Sequence, residues 1–120
     1  MTPEARAALD RARRRLDTLD WYEHPVRMRH VRLFVAPWFF RLPPFRRFDG
    51  YAAHHTILLR DAPRADGGSD DLVTHELCHV WQMQHHPLGM PLSYLRGYAS
   101  NSYELEARRA VEQSAGAGRS

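Results

Sequence analysis

The order of apolar and polar positions along the chain predicts four helical segments and two strands. Near the start, Ala5, Ala8, Leu9, Ala12, Leu16 and Leu19 recur at helical spacing and predict a helix over residues 3 to about 19. Thr2-Pro3-Glu4 opens it in the expected order of cap, proline in the first turn and early acid. "RHVRLFVA" alternates as a strand over 30–36, and "YAAHHTILLR" as a second over 51–60, with Ala53, His55, Ile57 and Leu59 on one face. Between them "PWFFRLPPFRRFDG" carries three prolines and closes on Asp49-Gly50, which reads as an irregular aromatic connection. After the loop "DAPRADGGSD", an amphipathic helix is expected over 70–85, capped by Ser69, favoured by Asp70 and Asp71 at its positive end and stopped by Pro87. A short helix is expected within 91–98 and a last one over 102–114. Residues 1–115 then form one domain, and 116–120 a flexible tail.

Composition narrows the class more than the function. A chain of 120 residues with 43% hydrophobic and 26% charged residues is an ordinary globular domain. No apolar run approaches the roughly 18 residues of a membrane span, and the N-terminus lacks the apolar centre of a secretory signal. With one cysteine, Cys78, no internal disulfide is possible, and the cytoplasm is the expected address. The net charge of +3 invites a nucleic-acid partner. Yet all 17 basic residues are arginine, and Ile57 and Asn101 are the sole isoleucine and asparagine, as GC-rich codon usage would produce. The one dense cluster, Arg11, Arg13, Arg14 and Arg15, is interleaved with Asp10 and Asp17 and reads as a solvated helix face, which argues against nucleic acid.

The second predicted helix carries chemistry. In "VTHELCHVWQ", His75 and His79 stand four apart, so on a helix both rings can address one point. Glu76, about 100° round from His75, would miss that point but reach a water bound there. Two imidazoles for a metal and a carboxylate for a proton are the mechanical content of the H-E-x-x-H motif. The neighbours Leu72, Val73, Leu77, Val80 and Trp81 are uncharged, so histidines on this helix need partners, and a metal supplies one.

A catalytic zinc site wants a third protein ligand and an open fourth position. The downstream candidates are Glu104, Glu106, Glu112, His85 and His86. On a wheel of "YELEARRAVEQSA", Glu104 projects from the middle of the arc shared by Tyr103, Ala107, Ala110 and Val111, whereas Glu106 falls at its edge and Glu112 among polar residues. Glu104 is the expected ligand and Glu106 the reserve. A competing use exists: Asn101 to Glu104 has the N-x-x-E layout of a capping box, in which Glu104 would fold back on its own helix. Arg108, four residues on, is placed to pair with Glu104 or with the carboxylate of the histidine helix.

"HELCH" followed by "YELEA" resembles the gluzincin zinc metallopeptidases, whose second motif is a helical glutamate with a small residue three positions on. Glu104 and Ala107 fit that layout, and the small bacterial minigluzincins are the most similar group. The resemblance covers about residues 51–111. It implies an α+β zincin-like domain: N-terminal helix, short antiparallel sheet with an edge strand, motif helix and glutamate helix. It also implies one Zn2+ held by His75, His79 and Glu104, Glu76 as general base, and a zinc metalloendopeptidase acting on peptide or protein substrates. The alternative is a catalytically latent peptidase-like zinc domain serving as a binding or regulatory module. One departure stands out. Where many relatives follow the small residue with an acid or amide that orients a ligating histidine, this chain has Arg108, which leaves the role to Asp49 or Asn101, or to none.

For the rest of a cleft, residues 51–60 would supply the edge strand for an extended substrate. Tyr94, Tyr98, Tyr103 and His86 are the candidates to hydrogen-bond a transition-state oxyanion. Cys78 points away from the histidine face as a small core residue. Trp38, Phe39, Phe40, Phe45 and Phe48 either cap the core or overhang the cleft.

Overall fold

In the computed structural model, which describes residues 1–64, 66–94 and 101–115, helix α1 spans Pro3–Asp17. Thr2 Oγ1 accepts a hydrogen bond from Ala5 N at 3.1 Å, so the expected cap is made. Ala5, Ala8, Leu9, Ala12 and Leu16 are all buried, and Leu19 packs partly buried against them beyond the helix. Strand β1 is Arg32–Val35, with pairing extended by the Arg32 N to His55 O and Ala36 N to Leu59 O bonds, both 2.9 Å. Two 3₁₀ turns, Phe39–Arg41 and Pro43–Phe45, occupy the proline-rich connection.

The expected strand over 51–60 is instead a hairpin, β2 (Gly50–Ala53) and β3 (Thr56–Leu59), turning at His54-His55. His54 takes φ = 47°, in the left-handed region that histidine enters more readily than most residues, so the chain reverses without glycine or proline to announce it. Ile57 and Leu59 face the core as expected, but Ala53 and His55 are exposed beside the turn. The sheet order is β1-β3-β2, with β1 parallel and β2 antiparallel to β3. It is therefore mixed rather than wholly antiparallel, because the aromatic connection returns the chain beyond the far side of β3's position. β2 is left as an edge.

Helix α2 spans Asp70–His85 as expected. Ser69 precedes it, but its hydroxyl accepts from Arg64 N at 3.0 Å and does not cap the helix. Nor is α2 amphipathic: it is buried on nearly every face from Val73 to Met83, because α1, α4 and the sheet all pack on it. A short helix α3 spans Gly89–Ser93, earlier than the expected 91–98, of which 95–98 lie outside the described residues. Helix α4 spans Ser102–Ser114, and the expected tail 116–120 is likewise outside them. Four helices and a small mixed sheet make this an α+β domain. No described helix is long and apolar enough to cross a membrane.

The arginine cluster of α1 splits by face. Arg11 Nε pairs with Asp70 at 3.0 Å. Arg15, 3% exposed, donates to Asp71 Oδ1 (2.9 Å), Val111 O (2.8 Å) and Ser114 Oγ (3.3 Å), joining α1 to both α2 and α4. Only Arg13 and Arg14 form the solvated face expected of all four. Arg60 fixes the aromatic connection: it lies 5.4 Å over the Phe40 ring and donates to Phe48 O. Phe40 is buried as a core cap, whereas Trp38 is 64% exposed.

Candidate metal centre

Two helices bring the predicted ligands together. α2 presents His75 and His79 one turn apart, and α4 begins so that Glu104, in its first turn, faces them. The local reason for that start is Asn101, whose Oδ1 accepts from Tyr103 N (2.8 Å) and Glu104 N (3.3 Å), while its Nδ2 donates to Ser93 Oγ of α3 (2.8 Å). Asn101 thus caps the helix alone, and the Glu104 side chain does not fold back to close a capping box. Glu104 is 1% exposed, with Oε1 2.8 Å from His75 Nε2 and Oε2 3.0 Å from His79 Nε2. The two Nε2 atoms are 3.2 Å apart. Ligand atoms of all three residues lie within 4.8 Å of one another, the arrangement of a site that can hold a metal ion.

The other candidates do not join them. Glu106 accepts from Tyr22 OH and, at 3.0 Å, from Gln82 Nε2. His85 stacks on Tyr22 with its Nδ1 3.1 Å from Trp81 O, and His86 lies against Tyr103. Glu112 is exposed. Cys78 is wholly buried in the core, where desolvation pushes its thiol pKa up.

The histidine-orienting role falls to a residue that the sequence reading passed over. Gln82 is fully buried, and its Nε2 donates to two obligate acceptors, Tyr103 O (2.8 Å) and Glu106 Oε1 (3.0 Å). Its Oε1 must therefore be the atom 2.8 Å from His79 Nδ1, which makes that nitrogen the donor. Asp49 pairs instead with Arg60 at 3.4 Å, and Asn101 is spent on the cap, so neither takes the role. A usable signal was present: Gln82 follows His79 by three residues, on the same helical face, as an amide within an apolar run.

This tautomer tests whether the residues fit a cation. With its proton on Nδ1, neutral His79 aims the Nε2 lone pair at the Glu104 carboxylate and at His75 Nε2. His79 Nε2 and Glu104 Oε2, 3.0 Å apart, are then two lone-pair bearers that repel unless a proton or a cation sits between them. Without a cation the surroundings favour a proton there: burial opposes a charged His79, but the Glu104 hydrogen bond, with the Glu76 charge and Gln82, outweighs it and raises the pKa. Burial likewise acts against the Glu104 anion, and the His75 and His79 bonds overcome it and hold its pKa well below the carboxylate range. Two imidazole nitrogens and one carboxylate oxygen suit zinc or another first-row transition ion better than calcium or magnesium, which take oxygen.

Glu76 sits beside this cluster without entering it. It is 4% exposed, and among the described residues Oε2 has no hydrogen-bond partner. Desolvation raises its pKa, opposed by the two histidines and aided by Glu104. Strand β2 closes over it: a Cβ on Gly50 would lie 3.1 Å from Glu76 Cγ. Between β2 and α2 runs a cleft of about 200 Å³ lined by Phe48, Tyr51, Ala52, His79, Met83 and Tyr94. Tyr94 OH donates to Glu104 Oε2 at 3.1 Å, and its ring meets His79 edge-on. Tyr103 instead turns toward His86, and Tyr98 lies outside the described residues. Phe48 is the member of the aromatic connection that lines this cleft. Compared with known families, curated proteins and solved structures, the chain shows no significant match.

Proposed function

We propose that the chain is a zinc-dependent metallopeptidase of the gluzincin type, with His75, His79 and Glu104 as zinc ligands and Glu76 as general base. The observation that carries it is the pairing of a convergent N, N, O donor set with a separate, buried carboxylate whose Oε2 has no hydrogen-bond partner among the described residues. When bound, zinc would supply Lewis acidity, lowering the pKa of a water to about 7 and polarising a substrate carbonyl. Glu76, its pKa raised by burial, takes a proton from the attacking water and returns it to the departing amine. β2 offers unpaired backbone groups to an extended peptide, and Tyr94 OH is the donor placed to meet an oxyanion. The reading places the protein in a reducing compartment such as the cytoplasm, where Cys78 stays a thiol.

Metal analysis of the purified protein and hydrolysis of an unstructured protein test it together. About one zinc per chain is expected, with hydrolysis that falls roughly 10²–10⁴-fold in Glu76→Gln while zinc stays bound. Turnover that survives that substitution would end the assignment of Glu76. A cleft of about 200 Å³ is small beside the roughly 300–1,000 Å³ of most ligand sites, and this favours a second reading: a latent zinc domain that binds a partner. Steady turnover by the unmodified chain would dispose of it.

A further inference from the structure

Met83 lines the cleft and also a second cavity on its other side. This second cavity is a groove of about 380 Å³ between the end of α2, the His54-His55 turn and the segment before β1. Its charged and titratable lining is Arg27, Arg29, His30, His54 and His55, with no carboxylate among them. Several arginines elsewhere find acids, Arg11 with Asp70, Arg15 with Asp71, Arg60 with Asp49, Arg64 with Asp66 and Arg108 with Glu104, while others, such as Arg13 and Arg14, face solvent. Among the described residues, no carboxylate pairs with Arg27 or Arg29. The wall carrying them is held firmly. Gln84 accepts from Arg27 N at 2.8 Å and donates to Arg27 O at 2.7 Å, and Trp81 Nε1 donates to His24 O at 2.8 Å. On the facing side, His54 N donates to Met83 Sδ at 3.3 Å, so the turn is seated on the same helix.

The direction of the cleft follows from its walls. Gly50, at the start of β2, lies against Leu72 and Glu76, and His54, just past its end, lies against Met83. β2 and α2 therefore run the same way, from the metal cluster toward the basic groove. Met83 is about 6 Å along the helix from His79 and the last helical residue, His85, about 9 Å, with Pro87 beyond the helix end. At about 3.3 Å per residue, an extended peptide centred on the cluster enters the groove roughly two to four residues from its reacting bond. Antiparallel addition to β2, the slightly more stable pairing, runs that peptide from the groove toward the cluster.

Resting on the peptidase reading, we propose that this groove is a specificity subsite for acidic side chains, two to four residues N-terminal to the scissile bond. The preferred substrate is then an extended segment with Asp or Glu upstream of the cleavage point.

The test uses two fluorescent peptides that differ only in Glu-Glu or Gln-Gln at the third and fourth positions upstream, and a control with Glu-Glu downstream. Hydrolysis is followed with the zinc-loaded wild type, and binding by anisotropy with zinc-loaded Glu76→Gln, which separates recognition from turnover. The upstream acidic peptide should bind about tenfold more tightly than its neutral counterpart. Its kcat/KM should be higher by a similar factor, mainly through KM, with the advantage shrinking as salt rises. Arg27→Ala/Arg29→Ala should abolish the advantage, bringing the acidic peptide's affinity and kcat/KM to those of the neutral one in the same variant. Cleavage without acidic preference, or a preference untouched by the double variant, overturns the subsite and leaves the peptidase reading intact. Acid-selective binding lost in the double variant, without cleavage of any peptide, supports the subsite and overturns the peptidase. Competition by inorganic phosphate or an oligonucleotide at concentrations as low as the acidic peptide would make the groove a phosphate site and overturn the peptide assignment.

Discussion

Two buried glutamates flank the same pair of imidazoles, and their surroundings push them in opposite directions. Glu104 meets His75, His79 and the Tyr94 hydroxyl at 2.8–3.1 Å, with the Arg108 guanidinium 3.6 Å from Oε1. Glu76, one residue on from His75, has an oxygen with no partner among the described residues and the apolar contact of Leu72 and β2 around it. The first is held as an anion and the second is pushed toward the neutral acid. The two roles proposed for them, fixed ligand and proton carrier, would then come from environment and not from residue type. A carboxylate whose lone pairs are all engaged cannot move protons, and one left unengaged in a dry pocket can.

The largest effect should come from cutting the engaged side. Glu104→Ala should weaken zinc binding by more than about 100-fold, measured by competition with a chromophoric chelator, whereas Glu76→Gln should change it by less than about threefold. Equal losses in the two variants would erase the distinction between ligand and base. Next comes the support behind the ligands. Gln82→Leu frees His79 to rotate and leaves Glu106 and Tyr103 O short of a donor, so zinc affinity should fall about 10–100-fold. The metal-free protein should also lose about 1–3 kcal/mol of stability in urea unfolding. Retained affinity in that variant would return the orienting role to another residue.

A smaller effect separates the metal-free and zinc-loaded proteins by the sign of their pH dependence. His79 has a folded pKa raised above its ordinary 6.5, so its contribution to stability is complete below 6.5 and is lost as pH rises through the folded value. Glu76, raised above 4.5, likewise binds its proton more tightly in the folded state, so its ionisation above that pH also costs stability. Glu104, lowered from 4.5, contributes fully above 4.5 and loses its contribution only in more acid solution. Metal-free protein should therefore become less stable from about pH 6 to pH 8. The increment added by zinc should grow over the same range, because protons compete for the histidines. Parallel thermal-unfolding trends with and without zinc would contradict the shared-proton account of the cluster.

The two site helices and the cluster of His75, His79 and Glu104 were legible because both depend on short-range spacing. An i, i+4 pair of histidines and a glutamate in the middle of an apolar arc need only the helix period to be placed, and Asp70–His85 and Ser102–Ser114 have the expected ends. What failed needed contacts distant in sequence or backbone states with weak signals. The His54 turn carries no glycine, so a hairpin read as one strand. Arg15 looked like part of a solvated run, because nothing local shows that Val111 and Ser114 would supply acceptors 96 and 99 residues away. Gln82 was passed over because an acid or amide was sought on the glutamate helix, and the chain places its amide on the histidine helix instead. Gly50 was read as half of an Asp-Gly turn, although its missing side chain matters more for what lies beneath it.

That glycine gives the finest probe of the unengaged side. A Cβ at Gly50 would lie 3.1 and 3.3 Å from Glu76 Cγ and Cδ and 3.2 Å from Leu72 Cδ1, close enough that the glutamate must shift by a few tenths of an ångström. Gly50 does not have positive φ, so alanine brings no backbone strain and its effect is steric. Misplacement by about 1 Å can cost 100-fold in rate, so a shift of this size should lower kcat by about two- to tenfold with zinc affinity unchanged. Gly67→Ala makes the control. There φ is +83°, so alanine should cost about 1–2 kcal/mol of stability and leave kcat alone, because residue 67 lies before α2 and does not line the cleft. If Gly50→Ala instead spared turnover, the rate would not depend on where the Glu76 carboxylate sits, which argues against Glu76 as the proton carrier.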